Sequence, residues 1–224
     1  MYDHQAKKLN EQGTFKEIVV EISARQLSAK SETLRQMSMF LTQAVFMEVC
    51  VHPKPGLVTR HGSGAHTDMS ILTFAAGSAV LAKAFSDLQI LGMKHNGNYQ
   101  ELFGKVRRYG VSAEQELLRV TKGVNTQRGI LFAGGLLAAA AGAAMNKGLD
   151  SKALCSIVAE MTQGLTENEL AGLQADRPLT AGERLYQAYG ITGIRGEVEA
   201  GFPSVRQNGL PGLKEAFAIG AGLN

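Results

Sequence analysis

The sequence predicts an all-α fold, a compact multi-helix bundle around a central helix rich in Ala and Gly. After residue 30, apolar residues recur at steps of three and four, and no convincing strand alternation occurs. The longest uncharged stretch, residues 129–146, is rich in Ala and Gly, which lets neighbouring helices pack closely. Because it falls below the length and hydrophobicity of a membrane span, a buried core helix is favoured over a membrane helix.

Composition indicates a globular domain of ordinary size. The chain has 224 residues, of which 45% are hydrophobic and 19% charged, so it can bury a substantial core. We expect the helical domain to cover residues 31–224. Residues 1–30 form an extension whose structure the pattern does not define, with one β-like patch at residues 17–22. The net charge of +3 comes from scattered basic residues, which argues against nucleic acid and is compatible with anionic small molecules.

The cysteines and the N-terminus point to the cytoplasm. Cys50 and Cys155 are the only cysteines, and neither has a Cys or His at metal spacing, so no zinc site is indicated. Two free thiols fit a reducing compartment. Residues 1–10 carry charges without an apolar core, which predicts no secretory signal.

The first predicted helix begins at Ser31 and runs to about Val49. Its apolar line, at steps of three and four, ends on Glu48 and consists of Leu34, Met37, Leu41, Ala44 and Glu48. A carboxylate on that face needs a partner or a raised pKa, which suggests a functional group. The alternative is that the helix has already ended and Glu48 is solvated.

Capping patterns place the remaining helices. A second helix is expected from Asp68 or Ser70 to about Leu91, with Asp68 as its alternative N-cap. A capping box at residues 112–115 predicts the start of a short helix that ends at Lys122. A further helix is expected from Ser151 to about Gly164. Capping boxes at residues 166–169 and 180–183 predict two more helix starts, and Gly190 is expected to end the second of these helices. A last short helix is expected from Pro211.

Three polar segments could carry chemistry. Residues 53–69 hold two prolines, three glycines and several charges, too broken for a helix and typical of a binding loop. Arg128 lies in the first turn of the central helix, where it opposes the dipole, so either an anion or solvent compensates it. Residues 193–203 are Gly-rich and carry Arg195, Glu197 and Glu199. The alternatives are a surface turn with incidental charges at 53–69 and an exposed charged turn at 193–203.

Three blocks, in order, carry a family resemblance. Pro-Lys-Pro-Gly-Leu-Val (53–58) followed by Gly-Ala-His-Thr-Asp-Met (64–69) resembles the triphosphoribosyl-dephospho-CoA synthases. Gly-Val-Asn-Thr-Gln-Arg-Gly (123–129) is similar to that family's second block. Leu-Thr-Ala-Gly-Glu-Arg-Leu-Tyr (179–186) and the segment 193–203 are similar to its third. The resemblance covers about residues 31–224.

The resemblance implies a transfer of the triphosphoribosyl unit of ATP to the 2′-hydroxyl of 3′-dephospho-CoA, with release of adenine. The product would pass to an acyl-carrier-protein holo-transferase pathway that serves citrate lyase or malonate decarboxylase. Substitution at the anomeric carbon passes through an oxocarbenium-like state, as in glycoside hydrolysis. It needs a base for the hydroxyl, assistance to departing adenine, and a clamp for three phosphates.

Residues of the matching blocks and of the helix before them supply candidates for each role. The catalytic carboxylates are expected to be Glu48, Asp68 and Glu197. The substrate-binding candidates are Lys54, Gly56, Arg60, His66, Asn125, Arg128 and Arg195. Lys and Arg suit phosphate oxygens, whereas His66 and Asn125 suit the base or the ribose. Mg²⁺ is expected with ATP, and Asp68 and Glu199 are its predicted ligands.

The chain departs from the family pattern at its C-terminal side. Family members continue with an Asp-Thr-Asn segment, an Arg-Gly-Gly segment and a closing Ser-Pro-Gly-Gly-Ser-Ala-Asp-Leu-Leu run, which this chain lacks. One alternative is therefore an inactive relative that binds ATP or a CoA-like nucleotide. Another is a helical interaction module with incidental polar loops. Missing helices would expose apolar faces, so we expect the chain to aggregate, to self-associate or to contact a partner over that surface.

Overall fold

A computed structural model describes residues 29–171 and 178–222. The chain divides into two units, residues 1–37 and residues 38–224. In the first unit, residues 29–37 are helical, and the β-like patch predicted at 17–22 lies outside the described residues. The boundaries predicted for the two domains stay a prediction.

The described residues form helices connected by loops and turns, with no strand among them, which confirms the all-α prediction. Helix α1 covers residues 29–50 within the described part. The others are α2 (Ile71–Met93), α3 (Tyr99–Val120), α4 (Arg128–Asn146), α5 (Leu154–Met161), α6 (Ala181–Tyr189), α7 (Gly193–Glu199) and α8 (Leu210–Ala218). A 3-10 turn precedes α5 at Ser151–Ala153, and π-helical turns cover Glu167–Ala171 and Val205–Gly209.

Helix α4 is the buried centre of the bundle, as predicted. Its central residues, from Ala138 to Ala140, have no exposed surface. It packs closely on α2, because a Cβ on Gly142 would lie 2.0 Å from the Gln89 carbonyl oxygen and one on Gly92 would lie 2.0 Å from the Ala139 carbonyl oxygen. Only glycine permits these backbone contacts, so the small residues set the distance between the helices.

The contacts along these helices fix their directions. Early residues of α2 meet early residues of α4, since a Cβ on Gly77 would touch the Gln127 side chain, and later Phe85 lies against Gly134. Helices α2 and α4 are therefore parallel. Helix α3 runs the opposite way, because the hydroxyl of Tyr109 donates to Asp87 Oδ2 at 2.6 Å and the Leu117 side chain lies against Gly77.

Helices α2 and α4 are both long and apolar enough to cross a membrane, judged by length and composition. Buried core helices of soluble proteins meet the same criteria. In α4, 67% of the apolar window is buried inside the protein, and in α2 the share is 33%. The expectation that residues 129–146 fall below the length and hydrophobicity of a membrane span was wrong, whereas the prediction of a core helix is consistent with the central position of α4.

The local prediction for Glu48 was wrong, whereas one of the two starts predicted for α2 was right. Glu48 is exposed, because the buried face of α1 steps by four from Leu41 to Val45 and Val49, whereas the prediction stepped by three to Ala44. The solvated alternative for Glu48 holds, although the helix reaches residue 50. Of the two starts predicted for α2, Asp68 and Ser70, the structure has Ser70 as the N-cap, so the alternative role of Asp68 as the cap does not hold.

Two further expectations, on a helix start and on a turn, do not hold. Residues 112–115 lie inside α3, which begins at Tyr99 after Asn98, whose side chain accepts from the Glu101 amide. A capping sequence inside a helix has no free amides to cap, so the pattern was incidental. Residues 193–199 form helix α7, so the alternative of an exposed charged turn does not hold there.

The capping box at residues 180–183 is present as predicted, and Gly190 ends α6 in a left-handed conformation.

Candidate active site

Two helix N-termini and two polar loops meet at one end of the bundle. Because α2 and α4 are parallel, both begin at this end, and the Gln127 side chain donates to Ser78 Oγ at 3.2 Å between them. The loops that lead into these helices, residues 51–70 and 121–127, lie there as well. Helix N-termini carry partial positive charge and unpaired amides, which suit an anion.

The loop over residues 51–70 has a defined backbone. The Ala65 amide donates to the Gly56 carbonyl at 3.1 Å, and Thr59 and Gly62 exchange backbone hydrogen bonds. Gly56 and Gly64 have φ of +75° and +61°, and a Cβ on Gly64 would lie 2.5 Å from the Leu57 carbonyl oxygen. Glycine is therefore required at position 64, where the backbone passes close to Leu57. The hydrogen-bonded backbone of the loop holds its charged side chains in defined positions.

Lys54 is turned back onto α1. Its Nζ donates to the Glu48 carbonyl at 2.8 Å and to Glu48 Oε1 at 2.9 Å. A lysine there satisfies a carbonyl at the helix C-terminus and complements the dipole. The side chain of Lys54 is only 16% exposed, whereas that of Glu48 is 67% exposed, so the pair lies at the surface with the carboxylate outermost.

The remaining predicted residues of this loop form two small contacts. The Arg60 Nε donates to His61 Nε2 at 3.0 Å. The rings of His61 and His52 are packed edge to face, with their centres 4.8 Å apart. His66 Nδ1 lies 3.5 Å from Asp68 Oδ1, and the Asp68 side chain is mostly exposed. An imidazole beside an accessible carboxylate is an arrangement that can move a proton.

At the start of α4, the first of the two alternatives for Arg128, an anion rather than solvent, is the one that the structure shows. The Arg128 Nε lies 2.6 Å from Glu114 Oε1 of α3, so this anion is intramolecular. Asn125 is exposed beside it. Sequence reasoning missed Thr126 and Gln127, whose buried Oγ1 and Oε1 atoms have no hydrogen-bond partner in the described part of the protein. The only sequence signal for Thr126 and Gln127 as site residues is their position between the two predicted site residues Asn125 and Arg128.

Arg195 belongs to a separate charged cluster on the flank of the bundle. Its Nε donates to Glu169 Oε2 at 2.7 Å, and Arg107 Nη1 of α3 lies 2.7 Å from Glu169 Oε1. Glu169 was expected to close a capping box with Thr166. The Thr166 amide donates instead to Glu199 Oε2 at 3.1 Å, which leaves Glu169 to hold two arginines.

The other two carboxylates of this segment bind protein groups. Glu197 accepts hydrogen bonds from the Ser204 amide and hydroxyl. Burial acts to raise the pKa of Glu199, but hydrogen bonds from the Thr166 hydroxyl and from the amides of residues 164–166 outweigh it and hold that pKa below its ordinary value. Glu199 therefore serves as an ionised acceptor that fixes the segment 164–166.

The structure thus assembles part of the predicted site. The loop residues and the Asn125–Arg128 segment share one end of the bundle, whereas Glu197 and Glu199 contact the 164–166 segment and Ser204. Among the described residues, no group of three or more His, Cys, Asp or Glu side chains could hold a metal ion. The roles of the individual residues and of Mg²⁺ stay predictions.

Comparison with known proteins gives the same family as the sequence blocks. The family described as ATP:dephospho-CoA triphosphoribosyl transferase matches residues 34–224. A relative from Pectobacterium carotovorum, named probable 2-(5″-triphosphoribosyl)-3′-dephosphocoenzyme-A synthase, is 40% identical over 193 residues, which cover 85% of this chain and 64% of the relative. A relative of the same name from Malonomonas rubra is 40% identical over 192 residues, which cover 84% of this chain and 61% of the relative.

A third relative, from Pectobacterium atrosepticum, is named 2-(5″-triphosphoribosyl)-3′-dephosphocoenzyme-A synthase and is 39% identical over 191 residues. Here the match covers 84% of this chain and 63% of the relative, so the chain spans less than two thirds of the length of these proteins. No solved structure matches it. The match over residues 34–224, together with these relatives, shows that the chain belongs to the ATP:dephospho-CoA triphosphoribosyl transferase family.

Proposed function

We propose that this protein transfers the 5-triphosphoribosyl group of ATP to the 2′-hydroxyl of 3′-dephospho-CoA and releases adenine. The observation that carries the proposal is the end of the bundle where the N-termini of α2 and α4 meet the loops at residues 51–70 and 121–127. These loops are two of the blocks that resemble the family. Backbone amides, Lys54, Arg60 and Arg128 give this end the donors that phosphates require.

In the proposed reaction, the 2′-oxygen of dephospho-CoA forms a bond to the anomeric carbon of the ATP ribose. The bond from that carbon to adenine breaks, its electron pair leaves with adenine, and the departing nitrogen takes up a proton, which balances the one that the hydroxyl loses. Asp68, next to His66 at 3.5 Å, takes the proton of the attacking hydroxyl. Glu48 is the second candidate for this role, with its carboxylate exposed beside Lys54. Glu197 stays a weaker candidate because Ser204 occupies its oxygens.

The triphosphate remains on the ribose throughout and carries most of the charge of the substrate. We place Lys54, Arg60, Arg128 and Arg195 around it, with the Gly56 turn and the side chains of His66 and Asn125 near the ribose or the base. Mg²⁺ enters with ATP, bound mostly by phosphate oxygens, as this ion prefers. The exposed Asp68 carboxylate fits as its protein ligand, whereas Glu199 fits poorly because amides and a hydroxyl already occupy it.

The setting of the enzyme is part of the proposal. The product would pass to an acyl-carrier-protein holo-transferase pathway serving citrate lyase or malonate decarboxylase, in the cytoplasm. We also propose self-association through α6 and α8, because large apolar side chains are exposed on these helices, among them Tyr189, Leu213 and Phe217, and at Ile219 directly after α8. Apolar surfaces of this kind are typical of interfaces.

Release of adenine tests the function directly. The chain is incubated with MgATP and 3′-dephospho-CoA, each substrate is omitted in turn, and products are separated and identified by mass spectrometry. Adenine and a triphosphoribosyl adduct that require both substrates would support the transferase. No adenine, together with stabilisation of the protein by ATP or dephospho-CoA, would favour the nucleotide-binding alternative. Neither signal would contradict both and favour the interaction module.

A further inference from the structure

One carboxylate on the flank of the bundle holds two arginines from different helices. Glu169, in the π-helical turn Glu167–Ala171, contacts Arg107 of α3 and Arg195 of α7, each at 2.7 Å. The Glu169 side chain is 23% exposed, that of Arg195 32% and that of Arg107 55%. The cluster is therefore open to solvent on the side of Arg107.

The backbone at each of the three residues is anchored by a buried apolar residue close in sequence. Arg107 follows the buried Val106, and Glu169 precedes the buried Leu170. Arg195 lies three residues before the buried Val198 of the same helix. The Arg107 guanidinium also lies over the Phe103 ring, 5.6 Å from its centre, which restricts its plane. Arginines held in this way lose little conformational freedom when an anion binds, so binding costs less.

The charges in this cluster do not cancel. Two guanidiniums and one carboxylate leave a net charge of +1. In the part of the chain that the structure describes, Glu169 is the one acidic group paired with either arginine, and it uses a single nitrogen of each. The unused N–H groups of two neighbouring guanidiniums match the oxygens of a phosphate, which arginine binds in a bidentate manner.

The cluster shares a face of α3 with the start of α4. Arg107 and Glu114 are seven residues apart, so they lie on nearly the same side of the helix and about 10 Å apart along its axis. Glu114 binds Arg128, which lies in the first turn of α4 at the candidate active site. One face of α3 therefore connects the Arg107 cluster to the end of the bundle where the substrate is proposed to bind.

We propose that Arg107 is a further substrate-binding residue that holds a phosphate of the triphosphate chain together with Arg195. Glu169 is the positioning residue that keeps the two guanidiniums side by side. Neither Arg107 nor Glu169 belongs to the blocks that carry the family resemblance. The identification of the anion as a triphosphate rests on the proposed function, but the anion site itself rests on the three side chains.

The test is binding of inorganic tripolyphosphate to the whole chain, measured by calorimetry at low salt. We expect Arg107→Gln to weaken this binding at least tenfold and Arg107→Lys to weaken it less, because lysine keeps the charge but loses the paired donors. Arg108→Gln is the matched control, since Arg108 points about 100° away around α3 and makes no ion pair among the described residues. Melting temperatures without ligand check that each variant is folded.

The inference would be overturned if Arg107→Gln bound tripolyphosphate as tightly as the wild type. It would also be overturned if Arg107→Gln and Arg108→Gln weakened binding to the same extent. Adenine release separates this outcome from failure of the proposed function. If the wild-type chain releases adenine while Arg107→Gln leaves the KM for ATP unchanged, the inference fails and the function stands. If Arg107→Gln selectively weakens tripolyphosphate binding but the wild type releases no adenine, the anion site stands and the function fails.

Discussion

At the scale of single residues, Asp68 is the predicted carboxylate whose oxygens are least engaged by other protein groups. The carboxylate of Glu48 contacts the Lys54 ammonium, and that of Glu197 binds Ser204, whereas Asp68 has an imidazole at 3.5 Å and a mostly exposed side chain. A general base needs an oxygen that can reach the hydroxyl of the substrate. Asp68 therefore ranks first, because its contact with the imidazole is longer than the 2.9 Å contact between Glu48 and Lys54.

Asp68→Asn should lower the rate of adenine release by about a hundredfold or more, the usual contribution of a general base. Asp150→Asn is the control, because Asp150 is exposed and follows the other end of α4. Glu48→Gln should have the smaller effect. If Asp68→Asn and Glu48→Gln both keep full turnover, neither carboxylate is the base.

Glu199 provides a test that depends on pH. Its folded-state pKa lies below the ordinary value of 4.5, so its ionised form stabilises the fold above pH 4.5, and this contribution is lost as the pH falls through the lower, folded pKa. Glu199→Gln should therefore cost about 1 kcal/mol of unfolding free energy at neutral pH, and the difference from wild type should shrink in acid.

Urea unfolding at pH 7 and at about pH 3 would measure this loss. Glu215→Gln, which removes an exposed carboxylate from α8, serves as the control and should change stability little at either pH. A difference for Glu199→Gln that is constant across this range would show that ionisation of Glu199 does not stabilise the fold.

At the scale of elements, the contact between α2 and α4 decides the architecture. Gly92 and Gly142 bring the two backbones together, and Phe85 and Leu88 lie over Gly134 and Gly135. Because the helices are parallel, their N-termini and the loops before them face the same way. The close packing of small residues in the core therefore places the candidate active site at one end.

Gly142→Ala and Gly129→Ala make the same change in the same helix with opposite expected effects. A Cβ at Gly142 would strike the backbone of α2, so unfolding free energy should fall by about 2–3 kcal/mol. A Cβ at Gly129 would meet nothing within 4 Å, and Gly129→Ala should stabilise the helix by about 0.5–1 kcal/mol. Urea denaturation would measure both. Equal stability of the two variants would contradict the close contact.

At the scale of the whole molecule, large apolar side chains are exposed on α6, on α8 and directly after α8. Phe217 is 59% exposed and Ile219 is 79% exposed, although both are large apolar residues. Such side chains cost free energy in water unless another surface covers them. This is the physical basis for the proposed self-association.

Light scattering should therefore find species larger than the 23.9 kDa monomer. Phe217→Glu should shift the distribution towards the monomer, because a charge on the covered face must be desolvated. Lys214→Glu, at an exposed position of the same helix, also adds negative charge and should leave the association nearly unchanged. A wild-type chain that remains monomeric at high concentration would rule out self-association.

Much of this protein follows from its sequence. The periodicity determined the all-α class, the run of Ala and Gly at 129–146 identified the central helix, and local chemistry determined the cap at Thr180 and the stop at Gly190. These features depend on neighbours within one or two turns. The three sequence blocks likewise identified the family, because each needs only its own order of residues.

The tertiary structure decided what depends on distant residues. Whether Glu48 is buried depended on which side of α1 faces the core, and steps of three and four are equally helical until a partner surface is present. The pairing of Glu169 with Arg107 and Arg195 joins segments that are 62 and 26 residues away from it. Local patterns cannot contain such contacts, because they exist only once the helices have packed.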